Sequence, residues 1–172
     1  MTRIGLIREG KIPADNRVSL TPAQCKWILK NAPQIQIVAQ SSTNRCFSDR
    51  EYLSAGVEVK EDISNCDILL GIKEVPADQL IPDKTYLFFS HTKKKQPHNQ
   101  HLLRAVLDKN IRLVDYECLE HEDGQRIIGF GFFDIASLNN RGIELTYFEV
   151  LTVIALAYFK DHGVDYVVLE TG

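Results

Sequence analysis

The sequence predicts an α/β protein: a mostly parallel sheet flanked by helices, followed by one apolar helix and a strand. Two observations lead there. Short apolar runs alternate with amphipathic stretches of helical length, the pattern of strands joined by helical crossovers. Cap and turn residues fall at the joints between them, at Thr21-Pro22, Gly56 and Glu122-Asp123-Gly124.

Residues 3–7 read as the first strand. Thr21 then serves as N-cap and Pro22 as the first helical residue, a position where the missing N–H costs nothing. Residues 35–38 form a second strand. Residues 49–55 form a short helix ended by Gly56, which tolerates the left-handed backbone of a helix terminus. Residues 68–72 and 85–89 are the third and fourth strands. Residues 98–109 form a helix with Leu102, Leu103, Val106 and Leu107 on one face, and residues 111–114 a fifth strand. The turn at Glu122 leads into a further apolar run at 126–128. Strands separated by helices favour parallel pairing in a Rossmann-like or flavodoxin-like sheet.

From residue 143 the texture changes. Residues 147–159 carry apolar side chains on nearly every side of a helix, so that helix must be buried against something. Residues 166–169 read as a last strand, and the sequence stops at Gly172, as expected of a fragment. The predicted division is 1–135 and 136–172, with the apolar helix a surface through which copies could associate as a homo-oligomer.

The formal net charge of −3 and pI near 5.9 lack the basic excess of a nucleic-acid binder. The run Lys93-Lys94-Lys95 reads first as a solvated loop. Cys25, Cys46, Cys66 and Cys118 form no C-x-x-C pair, so neither a zinc site nor a redox motif is expected. Charged residues interrupt the amino-terminal segment too early for a signal peptide, and no apolar run reaches membrane-spanning length. A cytoplasmic protein without membrane partner is the expectation.

Parallel sheets bind ligands beyond the carboxyl ends of their strands. The loop after the first strand carries Lys11, Asp15 and Arg17. Lys73 and Glu74 end the third strand, Ser90, His91 and Thr92 follow the fourth, and Asp115, Tyr116 and Glu117 follow the fifth. A guanidinium, an amine, an imidazole and a carboxylate therefore converge on one edge. Singly, each has a plainer role: Arg17 as a surface arginine, Lys73 as a lysine paired with Glu74 or Glu117, His91 as a hydrogen-bonded structural residue. Together they suit a small α-amino or α-keto acid, which needs a fork for its carboxylate and groups for proton transfer.

The segments Ile4-Gly5-Leu6-Ile7-Arg8-Glu9 and Asn16-Arg17-Val18-Ser19-Leu20-Thr21-Pro22 resemble the opening of alanine dehydrogenases, transhydrogenase α-subunits and lysine-forming saccharopine dehydrogenases. Residues 64–76, SNCDILLGIKEVP, resemble the family's lysine-bearing strand. Residues 88–96 and 113–117, with 123–131 after them, are closer to saccharopine dehydrogenase than to alanine dehydrogenase. The resemblance covers residues 1–135, the substrate-binding domain of that family. It implies that Arg17 clamps a substrate carboxylate, that Lys73 and His91 are the catalytic acid–base pair, and that Lys94 and Glu117 tune that pair or help hold substrate. The implied reaction uses NAD or NADP to oxidise an amine to an imine, which water opens; the lysine-forming enzyme yields lysine and 2-oxoglutarate. Arg17, Lys73, His91 and Glu117 are expected in one cleft.

The sequence departs from that family in two places. Phe132-Phe133-Asp134-Ile135 replaces a small-residue stretch, and no G-x-G-x-x-G follows, so no nicotinamide cofactor is expected to bind this chain alone. Residues 145–172 resemble instead a segment of folylpolyglutamate synthases, without the phosphate loop such ligases need. There Glu170 matches a magnesium-holding glutamate, but one carboxylate is a poor metal site and none is expected. The expected function is the substrate-binding domain of an NAD(P)-dependent amino-acid dehydrogenase, inactive alone. A ligase fragment and a non-catalytic amino-acid-sensing module are the alternatives.

Overall fold

The computed structural model describes residues 1–12 and 15–122. The elements expected at 126–128, 147–159 and 166–169, and Glu170, lie outside these residues. The chain divides into two compact units, Met1–Asp115 and Tyr116–Gly172.

The first unit is built on six parallel strands: β1 (Thr2–Leu6), β2 (Ile35–Gln40), β3 (Glu58–Lys60), β4 (Ile68–Leu70), β5 (Thr85–Phe88) and β6 (Arg112–Asp115). Their order in the sheet is β3-β2-β1-β4-β5-β6. The chain thus winds outwards from β1 to β3, returns to the other side of β1, and winds outwards again. The turning point lies between β1 and β4, which pair from Ile4↔Ile68 to Leu6↔Leu70. In such sheets the crevice at the carboxyl ends of these two strands is where ligands bind.

Three α-helices connect strands: α1 (Pro22–Asn31), α2 (Asp49–Ser54) and α3 (Gln100–Asp108). The first two begin with capping boxes. The Thr21 hydroxyl accepts from the Gln24 N–H, and the Gln24 side chain accepts in return from the Thr21 N–H at 2.6 Å. Ser48 and Glu51 repeat the arrangement, so two orphan donors are satisfied at each helix start. The end of α2 is equally determined. Val57 N–H donates to Tyr52 and Gly56 N–H to Leu53, each at 3.0 Å, with Gly56 at φ +86°. Tyr52 and Val57 are both buried, and the Tyr52 hydroxyl donates to the Leu20 carbonyl at 2.6 Å, which ties α2 to the entry of α1.

The core is formed by Ile4, Leu6, Ile37, Val38, Leu69, Leu70, Tyr86 and Phe88 from the sheet, with Leu20, Cys25 and Ile28 on one side of it in sequence and Leu102 and Val106 from α3. Gly5 is required by close packing in β1, because a Cβ there would lie 2.6 Å from Leu69 Cδ2 and 3.3 Å from Cys66 Cβ.

The structure corrects the sequence reading in two places. β3 was not expected: Glu58-Val59-Lys60 has one apolar residue between two exposed charges. A short, charged strand of this kind is how a sheet edge avoids further pairing. In α3 only Leu102 and Val106 are buried, whereas Leu103 is 38% and Leu107 70% exposed. These residues make two neighbouring i, i+4 rows, and the sheet is covered by one of them. Smaller differences concern ends: β4 stops at Leu70, β2 runs on to Gln40, and α3 is preceded by a 3-10 turn at Pro97–Asn99.

Of the second unit, the described part holds a 3-10 turn at Tyr116–Cys118, in which Tyr116 and Glu117 are buried.

Candidate functional site

The segment that follows β1 carries Arg8 and Glu9 to the carboxyl edge, where they take different partners. The Arg8 guanidinium turns outwards to Glu61, with one contact at 2.8 Å. Glu9 turns into the crevice between β1 and β4. One of its oxygens accepts the Ile72 N–H at 2.7 Å and the other the Lys73 N–H at 2.9 Å. Burial pushes the Glu9 carboxyl above the ordinary glutamate value; the two backbone N–H groups pull it partly back, and Asp15 raises it further against a smaller opposing effect of Arg17.

Arg17 and Asp15 pair within the same loop. Asp15 accepts from Arg17 Nη2 at 2.6 Å, from Nε at 3.0 Å and from the Arg17 backbone N–H at 3.0 Å. The Arg17 hydrogen bond therefore holds the Asp15 carboxyl below its usual range, with Lys73 adding a smaller effect in the same direction. Arg17 and Lys73 thus belong to one electrostatic neighbourhood, with Glu9 and Asp15 as its anions.

Glu74 is the centre of a second group. Lys11 Nζ donates to Glu74 Oε2 at 2.5 Å, and His91 Nε2 lies 3.8 Å from Glu74 Oε1. Burial raises the Glu74 carboxyl, but the Lys11 hydrogen bond, a backbone N–H and the charges of Lys11 and His91 together outweigh it, leaving Glu74 below its ordinary value. A hollow of about 450 Å³ adjoins this group, lined by Lys11, Glu74, Val75, His98, Asn99 and Leu102 among others.

His91 has a left-handed backbone, φ +54°, which is rare for a residue with a Cβ and is the kind of strain found at functional positions. Asn99 Nδ2 holds the His91 carbonyl at 2.8 Å, and the ring stacks on Phe89 with centroids 6.3 Å apart. The neighbouring Ser90 hydroxyl donates to the buried Asp115 carboxylate and accepts the Thr92 N–H at 3.1 Å. The turn that carries His91 is therefore fixed on both sides.

The structure brings Arg17 and Lys73 together through Asp15 and Glu9, and His91 to Glu74, the residue after Lys73. Lys94 is exposed in the loop beyond His91. Glu117 is buried in the second unit. Glu9 was not singled out from the sequence, although an acidic residue directly after an apolar strand that ends at the ligand edge was the available signal. The linking role of Glu74 between Lys11 and His91 was also missed, because no spacing rule connects three separate loops. Among the described residues no group of three or more His, Cys, Asp or Glu is placed to hold a metal ion, and no helix is long and apolar enough to cross a membrane.

A doubly wound parallel sheet with a charged cluster at its turning point defines an α/β domain of the Rossmann-like class. The chain belongs to the family "alanine dehydrogenase/PNT, N-terminal domain", whose model matches residues 5–133. It is 41% identical over 128 residues to the mitochondrial α-aminoadipic semialdehyde synthase of Mus musculus, covering 74% of this chain and 14% of that protein. It is 29% identical over 126 residues to the NAD(+), L-lysine-forming saccharopine dehydrogenase of Emericella nidulans, covering 70% of this chain and 33% of that enzyme. The chain thus spans a third or less of these relatives. An L-alanine dehydrogenase structure shares the fold, with TM-score 0.61 and 17% identity over 72% of this chain and 35% of that one. The sequence resemblance to saccharopine and alanine dehydrogenases holds, and the family match spans residues 5–133.

Proposed function

We propose that this domain is the substrate-binding half of a saccharopine dehydrogenase-like enzyme, acting on an amino acid and a keto acid and not competent alone. The observation that carries the reading is the grouping of Arg17, Lys73 and His91 on loops at adjacent strand ends, with Arg17 paired to Asp15, the Lys73 backbone N–H held by Glu9, and His91 3.8 Å from Glu74.

In this reading Arg17, oriented by Asp15, holds a substrate carboxylate by charge-assisted hydrogen bonds. Lys73 and His91 exchange protons at the reacting atoms. When lysine condenses with 2-oxoglutarate, the amine nitrogen forms a bond to the keto carbon and loses a proton, and the carbonyl oxygen gains one. A second protonation lets that oxygen leave as water and gives the iminium ion, which becomes the imine on losing its remaining N–H proton. Glu74, shared with Lys11, supplies a counter-charge to His91. Lys94 and Glu117 assist in holding substrate.

Redox chemistry belongs to a nicotinamide held outside the described residues. Among the described residues, the paired N–H groups of Ile72 and Lys73 at the turning point are taken by the Glu9 carboxylate and offer no free cradle to a phosphate.

Calorimetric titration of this chain with L-saccharopine, 2-oxoglutarate and NAD(H) tests the proposal. Saturable binding of saccharopine or 2-oxoglutarate that is lost in Arg17→Ala, without saturable NAD(H) binding, supports it. Binding of neither acid, or equal binding by the variant, counts against it.

A further inference from the structure

We infer that Glu9 is the positioning residue of this site: its carboxylate fills the paired backbone N–H groups of Ile72 and Lys73, fixing the Lys73 turn and denying that position to a ligand's own anionic group. The assignment of Lys73 as the residue so positioned rests on the function proposed above.

Two adjacent backbone N–H groups aimed at one point form an anion-binding concavity. Here they lie after β4, beside the end of β1, at the place where a doubly wound sheet receives its ligand. Glu9 occupies both from within the chain, at 2.7 and 2.9 Å. The loop it anchors is hydrogen-bonded to its neighbour: Gly71 N–H donates to the Leu87 carbonyl at 2.9 Å and Phe89 N–H to the Ile72 carbonyl at 3.0 Å. Ile72 is thus held on one side by β5 and on the other by Glu9. Lys73 leaves this clamp with its backbone fixed, and its charge is felt at Asp15 in the neighbouring loop.

Two consequences follow for recognition. A ligand carboxylate meets side-chain cations, such as the Arg17 fork, in place of the backbone pair. A phosphate-bearing ligand meets a carboxylate where it would need donors. Glu9 therefore leaves anion recognition at this edge to side-chain cations.

The test follows the Ile72 and Lys73 amides by ¹⁵N–¹H correlation and hydrogen exchange in the full chain. In Glu9→Ala both amides lose the deshielding of a charge-assisted hydrogen bond and exchange about tenfold or more faster, the order expected when such a bond is lost. Sodium formate, a free carboxylate of the right size, returns both resonances saturably in the variant and leaves the parent protein unchanged. A scaffold role alone would give no formate response. Inorganic pyrophosphate shifts these amides only in the variant.

Unchanged amides in Glu9→Ala, absence of formate rescue, or saturable pyrophosphate binding at these amides in the parent overturns the inference. If Glu9→Ala does not fold, Glu9→Gln decides: its one acceptor oxygen keeps one amide bonded and releases the other, and retention of both overturns the inference. Failure of saccharopine to bind the parent protein would sink the proposed function while leaving the amide result standing.

Discussion

His91 Nε2 stands 3.8 Å from one oxygen of Glu74, and the other oxygen accepts from Lys11 at 2.5 Å. The carboxylate lies between the two side chains, but not symmetrically. The Lys11 contact is a direct hydrogen bond in a half-buried site, whereas His91 acts across a longer gap. Lys11→Met should therefore raise the Glu74 carboxyl towards or above the ordinary glutamate value, with burial left as the dominant influence. His91→Asn, whose side chain tolerates the left-handed backbone, should raise it less. Carbon-13 titration of the glutamate carboxyls checks the order, and a larger rise in His91→Asn would contradict it.

Arg17 and Lys73 share a neighbourhood but are expected to fail differently. Arg17→Ala removes a carboxylate fork and should weaken substrate binding by about 1.5–3 kcal/mol, the range for a hydrogen bond to a charged group. Lys73→Met removes a proton-transfer group and should lower kcat more than it raises KM in an enzyme completed by its cofactor-bearing part. Steady-state kinetics of both variants decide, and equal profiles would mean that the two residues do not have separate roles.

How much of this could be read beforehand depended on whether a signal was local. Thr21, Pro22 and Gly56 announced helix ends because capping is decided within a few residues, and the structure shows each in that place. The long apolar runs of β1, β2, β4 and β5 were visible because buried parallel strands are apolar throughout. β3 was not, since Val59 alone carries its inward face. The α3 face was overestimated because periodicity cannot tell which of two adjacent rows meets the sheet. For the site, the rule that ligands bind at the carboxyl edge led to the loops that carry Arg17, Lys73 and His91, and those loops do follow the adjacent strands β1, β4 and β5. It could not find the Glu9 contact with the Ile72 and Lys73 N–H groups, which joins residues 63 and 64 positions apart through backbone atoms that sequence does not distinguish.

Stability of the helical layer should depend on two positions remote from the cluster. Tyr52→Phe removes the hydroxyl that satisfies the Leu20 carbonyl, and should cost about 1–3 kcal/mol because a buried acceptor loses its partner. Gly56→Ala forces a Cβ into a left-handed backbone at φ +86°, where space is open but the conformation is strained, for about 1–2 kcal/mol. Urea denaturation of both variants measures these losses. A neutral Gly56→Ala would show that the terminus of α2 relaxes freely.

The dependence of stability on pH should have two limbs of opposite sign. Glu9 has a folded value above the ordinary 4.5, so between 4.5 and that raised value the folded chain binds more protons than the unfolded one. Stability therefore rises as pH falls through the Glu9 window. Asp15 and Glu74 have folded values below their ordinary 3.8 and 4.5. Their contribution is complete above the ordinary values and is lost as pH falls towards the folded ones, because the unfolded chain then binds more protons. A stability maximum on the mildly acidic side is expected, with a fall on either side. Glu9→Gln should flatten the neutral limb and leave the acid limb in place. Arg17→Met and Lys11→Met should make the acid limb shallower, since each brings its partner's folded value closer to the unfolded one. Urea midpoints collected from about pH 3 to pH 8 test all three. A neutral limb that survives in Glu9→Gln would show that another group carries it.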